Sequence, residues 1–325
     1  VLILGAGGSG LSLSIKLKAL GVKNILVLSK TSVMGSHTSA AKGGINATLS
    51  SVTPDNYKWH AFDTVKSAGG LADEKRVEFM CKQAPSEIEF LENSGVRFDR
   101  TSDGRIDQRR YGGQKLEFGK GDFAFRSCFV KDSTGFEIMK NLKQTALKAG
   151  VKIKEYAFVF DIKENEVHAL NLQKGKFERI KFRVIVVAGG GFSQIYKTNS
   201  SSNALTGDCQ ILALKAGAKL TNMEFIQFHP TGLKGSGILI SEAVRAEGGY
   251  LYNKFGERFM KKYSPDFMEL APRDVIAKAI FEEKEVFLSL KHLSPALVKT
   301  KLTGTIATAK FFGGVDVFKN DIPVF

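Results

Sequence analysis

The chain has 325 residues, 43% of them hydrophobic and 25% charged, which excludes a disordered, collagenous or coiled-coil protein as a whole. That length suits two domains, or one large α/β unit with an insertion. With 47 Lys+Arg against 33 Asp+Glu the net charge is +14, but bases alternate with acids and no basic block is interleaved with aromatics. A nucleic-acid groove is therefore not expected, whereas a dianionic small ligand is compatible with the charge.

Cys81, Cys128 and Cys209 form no CxxC pair and cannot build a disulfide framework, zinc site or iron–sulfur site, so no metal is expected. No segment approaches the roughly 18 apolar residues of a membrane span. The chain opens on Val1, inside an apolar run and with no signal-peptide pattern, so further residues are expected upstream.

In chain order, VLILG reads as a short buried strand. LSLSIKLKALG follows as a helix stopped by Gly21, and NILVLSK is a second strand. TPDNY suggests a helix start, with Thr53 as cap and Pro54 in the first turn. A helix after Asp73 should run to Gly95, bent at Pro85. Residues 100–132, Gly-rich and poorly periodic, read as a long functional loop. STGFEIMKNLKQTALKAG is a helix, and the alternating segments from 151 to 188 are strands with a KGK hairpin turn. VIVVA runs into Gly189-Gly190-Gly191, and TGDCQILALKAGA returns to helix. The character changes near 229, which places one domain over 1–228 and a second over 229–325.

Gly5-Ala6-Gly7-Gly8-Ser9-Gly10 is GxGxxG between a strand and a helix. The first Gly makes the turn, the second admits a pyrophosphate, and the third lets helix and strand pack closely. Phosphate is favoured there by the unpaired N–H groups and dipole of the helix N-terminus. The acid that grips a nicotinamide-dinucleotide ribose is absent; the second strand ends Ser29-Lys30. That argues against a standard NAD site and leaves room for FAD.

Ser36-His37-Thr38-Ser39-Ala40-Ala41-Lys42-Gly43-Gly44-Ile45-Asn46 resembles the flavin-attachment segment of the succinate dehydrogenase and fumarate reductase flavoprotein subunits, the complex II family. QRRYGGQKLEFGKG, KDSTG, VVAGGG, LTGDCQILALKAGAKL, MEFIQFHPTG, GILISEAVRAEGGYLYNKFGERFM, LAPRDV and FGGVDV follow in the family's order, so the resemblance covers essentially the whole chain and looks nearest to succinate dehydrogenase.

The resemblance implies an α/β fold: a Rossmann-like FAD-binding domain with an inserted α+β capping domain. It implies FAD held covalently through His37, with Gly5, Ala6, Gly7, Ser9, Gly10, Ser29, Lys30, Ser36, Thr38, Gly43, Gly44, Val159, Ala188, Gly189 and Asp208 around it. His229 and Ser241 would grip a substrate carboxylate, Arg273 would transfer the proton through Glu242 and Arg245, and Tyr111 would pack against the substrate. The covalent bond is expected to raise the flavin potential.

Four positions depart from the family pattern: Cys209 stands for Gly, Ser241 for Thr, Tyr111 for Phe and Phe136 for His. The family also continues past DIPVF into a substrate-clamping Arg and a helical domain, so the chain is expected to be part of a longer protein. The implied partners are an iron–sulfur subunit and, through it, membrane anchors. The implied location is peripheral, on the cytoplasmic side of a bacterial inner membrane or the matrix side of a mitochondrial one. An L-aspartate oxidase-like flavoenzyme and an inactive truncated FAD-binding relative are the alternatives; His37 and the GGQ loop weigh against the oxidase.

Overall fold

The computed structural model describes residues 1–227 and 229–325. In chain order the elements are β1 (Leu2–Leu4), α1 (Gly8–Ala19), β2 (Leu26–Leu28), α2 (His37–Ala40), β3 (Ile45–Asn46), α3 (Tyr57–Ser67), α4 (Glu74–Asn93), β4 (Gln108–Lys115), β5 (Phe123–Cys128) and α5 (Thr134–Lys148). Next come β6 (Lys152–Lys154), β7 (Ala157–Lys163), β8 (Glu166–Asn171), β9 (Lys176–Lys181), β10 (Ile185–Val187), α6 (Asp208–Lys215) and α7 (Ala243–Ala246). The chain then forms β11 (Tyr250–Asn253), α8 (Met260–Tyr263), α9 (Arg273–Glu283), β12 (Val286–Ser289), α10 (Pro295–Lys301), α11 (Thr303–Gly313) and β13 (Ile322–Val324).

The chain divides into two compact units: 1–41, 94–96 and 135–227 form one, and 42–93, 97–134 and 228–325 the other. The change of character at 229 falls at the last crossing between them, but 42–93 and 97–134 pack with the second unit rather than the first. Phe228, the last residue of the expected first domain, lies outside the described residues.

In the first unit a parallel sheet runs β10-β1-β2-β6. Leu2, Ile3 and Leu4 are wholly buried because both faces of so central a strand are covered. β1 lies between β2, which follows it through α1, and β10, which the chain reaches only after the β7–β9 meander; the crevice at the carboxyl end of such a strand is where these sheets bind ligands. A meander of β7, β8 and β9 stands beside it, and the inward residues Val159, Val167 and Ala169 join Leu2, Leu4, Leu28 and Leu212 in one core.

In the second unit β11, β12 and β13 form an antiparallel sheet against α9 and α11. Its core is aliphatic, from Leu251, Val286, Leu288 and Ile322 on the strands to Ile276, Ile280 and Ala309 on the helices.

Two local expectations are corrected here. The first α3 residue is Tyr57 and its cap is Asn56, whose Oδ1 accepts the Lys58 N–H at 2.8 Å. Thr53 cannot cap, because its hydroxyl accepts the Phe125 N–H at 3.2 Å. The stretch 100–132 is not one loop: β4 and β5 pair antiparallel, with register shifts around Arg110 that hide the two-residue alternation. The α4 helix runs through Pro85, as expected.

Candidate flavin and substrate sites

In the first unit the chain leaves β1 through Gly5, whose φ of +113° suits only glycine. A Cβ on Gly5 would lie 2.2 Å from the Ala188 carbonyl oxygen, and one on Gly10 would lie 1.9 Å from the Gly5 carbonyl oxygen. Both glycines are thus imposed by backbone meeting backbone. This packing aims the start of α1, which has no side-chain cap, at a cavity of about 410 Å³.

The cavity is lined by Gly5, Ala6, Gly7, Ser9, Ser29, Lys30, Ser36, His37, Thr38, Val159, Ala188, Gly189 and Asp208. These are the residues proposed from sequence for the cofactor, apart from three. Gly10 supports the wall from behind, and Gly43 and Gly44 belong to the second unit. Thr31, Phe158, Leu205 and Leu212 also line it but are not among the residues expected from sequence, although the last two lie within LTGDCQILALKAGAKL. Leu212 could have been found from its spacing, one helical turn beyond Asp208.

On the rim, Lys30 pairs with Asp208, and both reach the Thr206 hydroxyl. Burial pushes the Asp208 carboxyl upward, but Lys30 and Thr206 outweigh it and hold it below its ordinary value. The carboxylate is therefore an acceptor for hydroxyl donors such as those of a ribose. Cys209 fills the space against Gly189, its Sγ 2.1 Å from where a Cβ there would stand. Burial raises its thiol pKa, so Cys209 is a packing group rather than a reactive thiolate.

His37 opens α2, whose cap is the Ser36 hydroxyl accepting the Ser39 N–H at 3.4 Å. Its Nδ1 accepts the Ser202 N–H at 3.4 Å. This bond favours the tautomer with its proton on Nε2, the nitrogen turned away from Ser202. The residue is exposed, yet partial burial of the ring lowers its pKa. A dinucleotide fits this wall: donors at the helix start, a carboxylate and ammonium on the rim, and apolar Leu4, Val159 and Leu212 between them.

In the second unit α7 and the start of α9 bring three charged residues together. Glu242 Oε2 accepts Arg273 Nε at 2.8 Å and Nη2 at 2.7 Å, and Oε1 lies 3.9 Å from Arg245 Nη2. The Gly112 N–H also reaches Oε1, at 3.4 Å. Glu242 is 4% exposed and Arg245 2%. Burial alone would raise the Glu242 carboxyl; Arg245 and Arg273 override it and keep the group low. Burial lowers the Arg245 guanidinium.

His229 stands in the same field: burial, then Arg245 and Arg273, push its pKa down to about 3, so the imidazole is neutral at pH 7. Its Nδ1 accepts the Thr231 N–H at 3.2 Å, which puts the ring proton on Nε2 as a donor. The Tyr111 hydroxyl donates to the Gly43 carbonyl at 2.7 Å, and burial pushes its pKa up to about 12. The extra phenol oxygen is thus tied to the 43–44 turn. Ser241 is 1% exposed, its Oγ accepting the Ala243 N–H at 3.2 Å. Phe136, by contrast, is 47% exposed in the first unit. Sequence reading missed the buried Arg109, which pairs with Glu247 at 3.1 Å and stacks on Phe129 at 3.8 Å.

The chain is 43% identical over its full length to the succinate dehydrogenase flavoprotein subunit of Rickettsia bellii, covering 57% of that protein. It is 40% identical over 99% of its length to the mitochondrial subunit of Oryza sativa subsp. japonica, covering 54% of it. A solved E. coli quinol fumarate reductase superposes with a TM-score of 0.91 at 33% identity, over 99% of this chain and 59% of that one. The chain thus spans a little over half the length of these relatives. The FAD binding domain model matches residues 1–325, and the chain belongs to that family of FAD-binding proteins.

Proposed function

We propose that the chain is the FAD-carrying part of a succinate dehydrogenase or fumarate reductase flavoprotein subunit. It would exchange a hydride between a four-carbon dicarboxylate and FAD attached through His37, and pass electrons to an iron–sulfur subunit. The observation that carries this reading is the Arg245–Glu242–Arg273 chain, in which Arg245 and Glu242 are buried, beside a neutral His229.

A dianionic substrate calls for positive charge and hydrogen-bond donors, which Arg273 and the Nε2–H of His229 supply. FAD, when bound, supplies the hydride acceptor or donor. The chain's own residues then handle the proton. In the fumarate-reducing direction Arg273 gives a proton to the substrate carbon opposite the incoming hydride, and Glu242 passes a replacement from Arg245. An arginine holds its proton firmly in water, so the step depends on the fixed contacts of Arg273 with the buried Glu242. In the other direction the same groups carry the proton away.

At His37, Nε2 would be the atom attached to the flavin; the Ser202 N–H that Nδ1 accepts supports this reading. Gly5, Gly7, Ser9 and Gly10 would cradle the pyrophosphate, Asp208 and Lys30 the ribose, and Ser29, Ser36, Thr38, Val159, Ala188 and Gly189 the rest of the cofactor. Membrane association would come through partner subunits; among the described residues no helix is long and apolar enough to cross a membrane.

The test is turnover of succinate with an artificial electron acceptor by the holoenzyme, with malonate as competitor. Arg273→Gln should lower kcat by about 10²–10⁴-fold, the usual worth of a positioned proton donor. Turnover of L-aspartate in place of succinate would contradict the proposal.

A further inference from the structure

Resting on that proposed function, we infer that the Glu269–Arg258 ion pair is a positioning device for the proton relay, setting Arg245 and Arg273 against the two oxygens of Glu242. Arg245 Nη1 donates to the Glu269 backbone carbonyl at 2.7 Å. Among the described residues its Nε and Nη2 have no hydrogen-bond partner. Its other charged contact is the 3.9 Å approach to Glu242. A fully buried guanidinium held by one hydrogen bond goes where that carbonyl goes.

The carbonyl belongs to a tight turn, Met268–Leu270, in which Met268 has φ +51°. Three residues later the same segment becomes Arg273, at the start of α9. One short stretch of backbone therefore anchors one arginine and delivers the other. What fixes the stretch is the Glu269 side chain, 4% exposed. Its Oε1 accepts Arg258 Nε at 2.8 Å and the Leu251 N–H at 3.2 Å, and its Oε2 accepts Arg258 Nη2 at 2.6 Å. The fork-to-fork geometry fixes angle as well as distance.

Arg258 is itself clamped. Its guanidinium lies 3.7 Å over the Tyr250 ring, which also stacks on His292 at 3.9 Å. His292 Nε2 meets the Gly248 carbonyl at 2.8 Å, at the end of the loop that follows α7. From the other side, a Cβ on Gly112 would lie 2.5 Å from the Ala271 carbonyl oxygen, so β4 presses directly on the same stretch. Glu269 and Arg258 touch neither Glu242 nor Arg273 in any of these contacts. They act through the backbone.

The test compares wild-type holoenzyme with Arg258→Lys and Glu269→Gln. Lysine keeps the charge but loses the planar fork, and glutamine keeps the shape but loses the charge. Three quantities are read: kcat for succinate, the solvent deuterium isotope effect on kcat, and malonate affinity by calorimetry. The expected result for at least one folded variant is a roughly tenfold or greater fall in kcat, a larger solvent isotope effect, and malonate affinity within about twofold of wild type.

A kcat within twofold of wild type in both variants overturns the inference. So does a loss shared equally by kcat and malonate affinity, or the failure of both variants to fold, since either marks the pair as merely structural. A wild-type enzyme that turns over no dicarboxylate defeats the proposed function and this inference together. An active wild type with unaffected variants defeats only the inference.

Discussion

At the scale of single residues, the nucleotide wall depends on backbone approaches that no side chain can share. The 1.9 Å that would separate a Gly10 Cβ from the Gly5 carbonyl is impossible without moving α1 off β1. Forcing atoms into packed space costs about 1–3 kcal/mol, and more when backbone must shift. Gly10→Ala should therefore lower the denaturation midpoint and release flavin on gel filtration, both measurable on one preparation. Retention of the cofactor at wild-type stability would show that the glycine is not demanded by contact. GxGxxG was legible because each glycine has one mechanical reason and the reasons lie within a few residues. His229 and Glu242 differ. Nothing near them in the chain reveals that Arg273, about thirty residues on from Glu242, donates to that carboxylate. They entered only through the resemblance of ordered motifs.

At the scale of elements, α3 is tied to the β4–β5 hairpin by a buried charge cluster. Arg126, 0% exposed, donates to Asp55 at 2.9 and 3.0 Å, to Asp63 at 2.7 Å and to the Lys115 carbonyl at 3.1 Å. Asp63 also accepts the Lys115 N–H at 3.0 Å, which pins the end of β4. Removing the cation strands two buried carboxylates, a change worth about 3–5 kcal/mol. Arg126→Leu should show that loss in urea unfolding; a change below about 1 kcal/mol would mean the carboxylates find other partners or protons at little cost.

This cluster also explains why the sequence hid the hairpin. QRRYGGQK carries two glycines and three cations, a composition that reads as loop, and the pairing is set by Asp55 and Asp63, far upstream. The same long-range demand moved the α3 cap from Thr53 to Asn56, because Thr53 serves β5 instead. By contrast α1, α5 and β7–β9 were legible, since capping glycines, helical spacing and a hairpin turn are all local.

At the scale of the whole molecule, the buried His60 and the half-buried His229 link stability to pH. Burial and Arg126 lower the pKa of His60 from 6.5 to about 4, and burial with Arg245 and Arg273 lowers that of His229 to about 3. Both rings are neutral in the folded protein at pH 6, whereas their unfolded counterparts begin to bind protons near 6.5. Protons thus favour the unfolded chain as pH falls, and the stability present above pH 6.5 is lost progressively toward pH 4 and 3. Thermal midpoints should fall between pH 7 and 5, and less steeply in His60→Gln. A midpoint that rises on acidification would reverse the sign of the account.

Division into units was the least legible feature at this scale. The chain crosses between them several times, and only the last crossing, near 229, coincides with a change in composition. What unites residue, element and molecule is the claim that His37 carries FAD covalently at the cavity beside α1. The direct measurement is flavin absorbance and peptide mass after acid precipitation of the intact holoenzyme, with His37→Ala as control. The account predicts a yellow pellet, with the flavin mass on the peptide containing His37, and a colourless pellet from the variant. Flavin recovered wholly in the supernatant of the wild-type protein would contradict it.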